Sequence, residues 1–327
     1  MSSNNVEKML KKAADFSDRP LLLSFKQDIL GFIWFHLGRF ILFLITSTSV
    51  LAVFFIFLFV IKEAFPFFVK ADLIEFFTGS GWYPEHAEHP EFGALSIFVG
   101  SLYVTVVALI FAVPIGILAA IFLSDIVSFK IRDYIKPVIE ILAAIPSVAY
   151  GFFAVLVFAP WMQKHFGFSS GTNALNASLV LAVMALPTII SVSEDSISAV
   201  GRELREAAYG LGSTRFEAMF KVIIPAAHSG IIAAIVLGMM RAVGETMVVW
   251  MASGNASRIP SPWWDLSQSV RTMTASIAGE MGETPQGSPH FRSLFAIGLV
   301  LLVFTFVLNL ISEYFLTRAK KMMGGGK

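Results

Sequence analysis

"RELREAAYGLGSTRFEAMFKVIIPAA", residues 202–227, changes character several times before it enters a long apolar run. Residues 202–209 are good helix formers, and Gly210 and Gly212 then interrupt them. Thr214, with Glu217 three residues on, has capping-box spacing, in which each side chain accepts from the other residue's backbone N–H; a second helix is predicted to start there. Pro225 marks the passage into the apolar run. The stretch reads as helix, turn and helix, joined directly to an apolar helix.

The rest of the chain says what that apolar helix is for. Of 327 residues 56% are apolar and only 14% charged, with 32 Phe, whereas a soluble domain carries about 25% charged residues. Length alone would suggest about two domains, but this balance predicts a membrane protein. A formal net charge of +1 argues against a nucleic-acid partner, which calls for a basic excess. With no cysteine, disulfides, thiolate zinc sites and thiol nucleophiles are excluded. No cleavable signal peptide is evident, because the first long apolar run is too long for a signal core.

Six segments have the length and composition of a transmembrane helix: residues 40–61, 95–123, 137–160, 174–193, 226–253 and 292–314. Pro114, Pro146 and Pro187 fall inside the second, third and fourth. Ser147 and Thr188, next to two of these prolines, are placed to satisfy freed carbonyls. With the N-terminus inside, cytoplasmic segments carry 17 of the 24 Lys and Arg residues and external segments 5. That bias predicts both termini in the cytoplasm. The expected organisation is a cytoplasmic segment 1–39, a membrane domain 40–314 with a cytoplasmic loop 194–225 and external loops 62–94 and 254–291, and a cytoplasmic tail 315–327. The fold class is thus an all-α integral membrane protein of six transmembrane helices.

The external loops have their own signals. Residues 65–79 alternate aromatic clusters with charges and predict a short helix lying at the membrane surface. Leu266, Val270, Met273, Ile277 and Met281 recur at helical spacing after Trp263 and Trp264, predicting an amphipathic external helix that caps the bundle or meets a partner. His86 and His89, with nearby glutamates, are metal-ligand types, but a solvated loop gives no scaffold for them, and no metal site is assigned. The terminal Gly-Gly-Gly-Lys lacks the Ser or Thr and the following helix of a phosphate loop. No other segment offers one, so this chain is expected to hydrolyse no nucleotide itself.

The hairpin resembles the signature loop of the permease subunits of bacterial ABC importers: Glu-Ala-Ala, three residues, Gly, nine residues, Ile, one residue, Leu-Pro. Here the positions are Glu206, Ala207, Ala208, Gly212, Val222, Ile224 and Pro225. "KPVIEILAAIPSVAYG", "RAVGETMVVWMASGN" and "LFAIGLVLLVFTFVLNLISE" extend the resemblance to phosphate-specific importers, and the ending of the second is similar to their C-type permease. The resemblance implies a type I importer permease fold and a coupling helix that docks on a separate ATP-binding subunit. It also implies a second, A-type permease subunit, two ATP-binding subunits that hold ATP and Mg, and an external phosphate-binding protein. Ala207 and Ala208 would then allow close approach to the partner, with Arg202, Glu203, Arg205 and Glu206 as a charged rim.

The remaining anomaly is "GMMRAVGETMVVWM", residues 238–251, where Arg241 and Glu245 interrupt the fifth apolar run. Arg241 lies about 22 Å along that helix from Ala226. A charge at such depth costs about 2.5–3.5 kcal/mol or more, and Arg preceding Glu at this spacing is the weaker order for a helix. The pair is therefore expected to face protein or a polar cavity, either as a buried salt bridge that fixes packing or as part of an anion path. A guanidinium suits phosphate because its fork meets two oxygens, and Glu245 would keep the site from becoming a trap. Thr246 could add a hydroxyl, and Ser147 either caps a kink or lines the path. The resemblance favours the anion path. The competing functions are a permease for another oxyanion such as sulfate or molybdate, a gradient-driven secondary transporter, and an intramembrane enzyme. The coupling loop and the expected absence of paired broken helices speak against the secondary transporter. The spans lack a Ser/His or paired-Asp constellation for an enzyme.

Overall fold

The computed structural model describes residues 25–86 and 89–322. Ala87 and Glu88 of the His86/His89 loop, the Gly-Gly-Gly-Lys tail and most of the expected N-terminal segment lie outside the described residues. Two compact units divide the chain between Phe59 and Val60. Within the first unit, the described chain is the body of helix α1, Phe25–Lys70. The hydroxyls of Thr46 and Thr48 donate back to the carbonyls of Leu42 and Leu44 at 2.7 and 2.8 Å, so they bring no unsatisfied polar group into an apolar helix.

The second unit begins with the end of α1. The surface helix expected over 65–79 is divided: α1 runs on to Lys70, and a separate α2, Leu73–Thr78, starts at Asp72, whose carboxylate accepts from the Ile74 and Glu75 amides. A small antiparallel pair follows, β1 (Trp82–Tyr83) with β2 (Glu91–Phe92), an addition to the all-helical architecture. Then come α3 (Leu95–Ile121), α4 (Phe129–Ala144), α5 (Ser147–Phe153), α6 (Ala159–Phe166) and α7 (Ala174–Ser198). The chain continues through α8 (Arg202–Gly210), α9 (Arg215–Ala218), α10 (Ile224–Val243), α11 (Met247–Ala252), α12 (Met273–Glu280) and α13 (Pro289–Met322). Among the described residues, five helices are long and apolar enough to cross a membrane, and the count is six if one bent pair is a single span.

The centre of the unit is the three-helix contact of α3, α7 and α10. Ile189 of α7 is fully buried there between two glycines. A Cβ on Gly116 would stand 2.7 Å from Ile189 Cγ2, and one on Gly238 2.6 Å from Cγ1. Small residues let helix backbones approach closely in lipid, where association depends on van der Waals contact.

Of the three prolines, only one breaks its helix. Pro114 and Pro187 lie within the continuous α3 and α7. At Pro146 the preceding residue, Ile145, is extended at φ −64° and ψ 128°, the conformation that a following proline favours. The third span is accordingly two segments, Lys130–Ala144 and Ser147–Phe166, bent by 86°. The hydroxyls of Ser147 and Thr188 do not make the carbonyl bonds expected of them.

The fifth run is broken as well, between Val243 and Met247, where the sequence reads as one helix over 226–253. The break at Pro146 is thus the expected one, whereas Pro187 leaves its span unbroken and the fifth run is broken where no break was expected. The external helix expected over 266–281 is confined to α12. Its predicted first half is irregular because its backbone has another use: the Leu266 and Gln268 carbonyls accept from the Leu175 and Ala174 amides at 3.0 Å each. These amides open α7 and have no partner inside the helix.

Candidate functional site

The two breaks meet. At Pro146 the Ala143 carbonyl loses the amide that a continuous helix would offer it. Arg241 Nη2 donates to that oxygen at 3.4 Å. Arg241 also lies in the last turn of α10. Its positive charge therefore sits at two helix C-termini, where the peptide dipoles present partial negative charge.

Glu245 is oriented by the opposite rule. Its Oε1 accepts from the amides of Met247 and Val248 at 3.2 and 3.5 Å, capping the start of α11, where an anion is favoured. No ion pair joins Arg241 to Glu245 among the described residues, and Arg241 lies in α10 while Glu245 lies in the break that follows it, so the salt-bridge reading does not hold. Thr274 Oγ1 donates to the Glu245 carbonyl at 2.7 Å, and Thr246 Oγ1 donates to the Gly244 carbonyl at 3.5 Å. The broken backbone is thus satisfied by side chains, as it must be at membrane depth. Ser147 opens α5, which packs on α11: a Cβ on Gly151 would stand 3.4 Å from the Met247 carbonyl oxygen. The structure thus brings Ser147, Arg241, Glu245 and Thr246 to one junction of two breaks, each half-buried.

Trp250 of α11 also lines a cavity of about 520 Å³, together with Trp82, Asn255, Arg271, Glu280 and His290 among others. Glu280 is its hub: it accepts from Trp82 Nε1 at 3.0 Å, is bonded to His290 Nε2 at 2.7 Å and pairs with Arg271. Sequence reading passed over Glu280, since its three partners lie far apart in the chain or on another element.

The hairpin forms as its sequence predicts. α8 ends at Gly210, Gly212 takes φ +84°, and the Thr214/Glu217 capping box is complete, with amide-to-side-chain distances of 3.1 and 3.3 Å. Glu206 and Ala207 are exposed, together with Leu204, Tyr209, Leu211 and Phe216. Two assignments change. Ala208 is buried within the hairpin, its carbonyl accepting from Ser213, so its small size serves internal closure. Arg205 is no rim residue: it pairs with Asp125 beyond α3 and donates to the Ile197 carbonyl at 2.9 Å. An apolar cluster of Ile121, Ile197, Met219, Ile223 and Ile231 seats the hairpin on α3, α7 and α10. Pro225 lies in the first turn of α10, directly after the π-helical turn Met219–Ile223.

A further network also escaped sequence reading. Glu194, almost fully buried near the end of α7, pairs with Arg132 and with Lys136 at 3.0 Å, and accepts from Ser198 at 3.0 Å. The four-residue spacing of Arg132 and Lys136 placed them on one face of α4, but nothing local named the carboxylate they meet.

Residues 112–321 match the family described as "Binding-protein-dependent transport system inner membrane component". The chain is 39% identical over 247 residues to "Probable ABC transporter permease protein YqgH" of Bacillus subtilis, covering 76% of this chain and 79% of that protein. It is 35% identical over 268 residues to "Phosphate transport system permease protein PstC" of Mesorhizobium japonicum, covering 76% and 80%. Among solved structures, the inward-facing MetNI methionine ABC transporter contains a chain that superposes with a TM-score of 0.52 at 16% identity, over 67% of this chain and 93% of that one. That is a likeness of fold.

Proposed function

The chain belongs to the family of binding-protein-dependent transport system inner membrane components, and from that premise we propose that it is the membrane-spanning permease subunit of an ATP-driven phosphate importer. The observation that carries this reading is a single rod. Residues 215–243 form one continuous helical span of 29 residues, about 43 Å long. The exposed hairpin lies at one end and Arg241 at the other. A partner that binds and moves the hairpin would move the α10 end of the junction as a rigid body.

In this account the hairpin faces the cytoplasm and docks, through Glu206, Ala207 and its exposed apolar side chains, on a separate subunit that binds ATP and Mg. A second, A-type permease completes the path, and an external binding protein delivers phosphate toward the Glu280 cavity. The ion then passes the junction of Ser147, Arg241, Glu245 and Thr246. Arg241 supplies positive potential and, when its carbonyl contact opens, a donor fork for two phosphate oxygens. Glu245, held at the start of α11, keeps the junction from binding the anion irreversibly. This chain itself transports and is not the ATPase. The PstC name of relatives such as the Mesorhizobium japonicum protein supports phosphate over other oxyanions.

The test is Glu206→Lys in the co-expressed importer. The side chain is exposed in this chain, so the chain should still fold while ATP-driven phosphate uptake is lost by uncoupling from the ATP-binding partner. Full uptake in an assembled complex would remove the coupling role.

A further inference from the structure

A second cavity, of about 340 Å³, lies where the first span ends and the last begins. It is lined by Lys70, Asp72, Glu75 and Arg292, with Phe67 and Phe76 in its apolar wall. Lys70 closes one candidate span and Pro289, three residues before Arg292, opens another, so the cavity sits at a membrane edge.

Its charges are present but not paired. Neither Lys70 nor Arg292 has an ion-pair partner among the described residues, although Asp72 and Glu75 share the cavity. Arg292 Nε is buried without a hydrogen-bond acceptor, a costly state that a ligand oxygen would relieve. The Asp72 carboxylate is committed to the start of α2, whereas that of Glu75 is exposed. Beside it, α2 presents exposed Leu73, Ile74 and Phe77, as an interfacial helix does.

We propose that this cavity binds the headgroup of a zwitterionic, primary-amine phospholipid, with the phosphodiester on Arg292 and Lys70 and the ammonium on Glu75. The sign pattern selects among candidates. An anionic headgroup would leave Glu75 unmet and repelling, and a free phosphate ion would meet two carboxylates as well as the two cations. A choline headgroup carries the positive charge but no N–H to donate. Acyl chains would continue along the phenylalanine wall.

The experiment purifies the chain, with any subunits that co-purify, in nanodiscs of equal parts phosphatidylethanolamine, phosphatidylcholine and phosphatidylglycerol, and reads retained lipid by native mass spectrometry. Phosphatidylethanolamine should be retained about tenfold over either competitor, the scale of one charge-assisted hydrogen bond. Arg292→Gln should abolish that retention. Glu75→Gln, at an exposed position, should keep a lipid but equalise ethanolamine and choline. Millimolar inorganic phosphate should displace nothing. Equal retention of the three lipids, an unchanged preference in Glu75→Gln, or displacement by inorganic phosphate would overturn the assignment.

Discussion

Arg241 donates to the carbonyl oxygen of Ala143 at 3.4 Å, so the last turn of one broken span is closed by a side chain from the last turn of another. The contact couples α4 to α10 across the junction, and any movement of α10 must break it, carry α4 along, or rotate the guanidinium away. It also explains how the chain tolerates a cation there: two helix C-termini offset the charge, while Glu245 is held at a helix start.

The capping role of Glu245 can be separated from its charge. Glu245→Ala removes the acceptor for the Met247 and Val248 amides, a loss of about 1 kcal/mol. Hydrogen exchange at those two amides should accelerate roughly fivefold on that basis. Glu245→Gln keeps an acceptor oxygen and should keep their protection while altering transport.

Arg205 and Asp125 tie the hairpin to the end of α3, with side chains only 16% and 14% exposed. Reversing either charge leaves the other partly buried and unmatched, at a cost of about 3 kcal/mol. Arg205→Asp and Asp125→Arg should each lower the thermal stability of the purified protein and its uptake. The double swap should recover a substantial part of both.

Gly238→Val places branched carbons against Ile189 in the α7–α10 contact, an overpacking worth about 1–3 kcal/mol. The variant should unfold at lower temperature, and adding Ile189→Ala, which opens the space, should restore part of the loss.

The parts of the fold that sequence carries are those decided locally. Gly210, Gly212, Thr214 and Glu217 specify the hairpin within a few residues, and it forms as they specify. The apolar runs mark the crossings because their solvent leaves helices few alternatives. The breaks were less legible because their causes are distant. Pro146 interrupts its span and Pro187 does not, and periodicity treats both alike. Glu245 reads as one turn beyond Arg241 on the same helix, yet its carboxylate caps the next helix while Thr274 holds its carbonyl. Residues 266–272 keep a helical pattern, but Leu266 and Gln268 lend their carbonyls to the start of α7. Glu194 and Glu280 gather partners from separate elements, so no local signal marks them as hubs.

The central claim is that Arg241 acts on the transported anion at the junction. It is tested most directly by phosphate uptake into proteoliposomes holding the assembled importer with Arg241→Gln, measured beside its basal ATPase activity. The account predicts intact assembly, retained ATPase and uptake reduced about tenfold or more, the scale of losing a charged donor. Uptake at the level of the unaltered protein would contradict it.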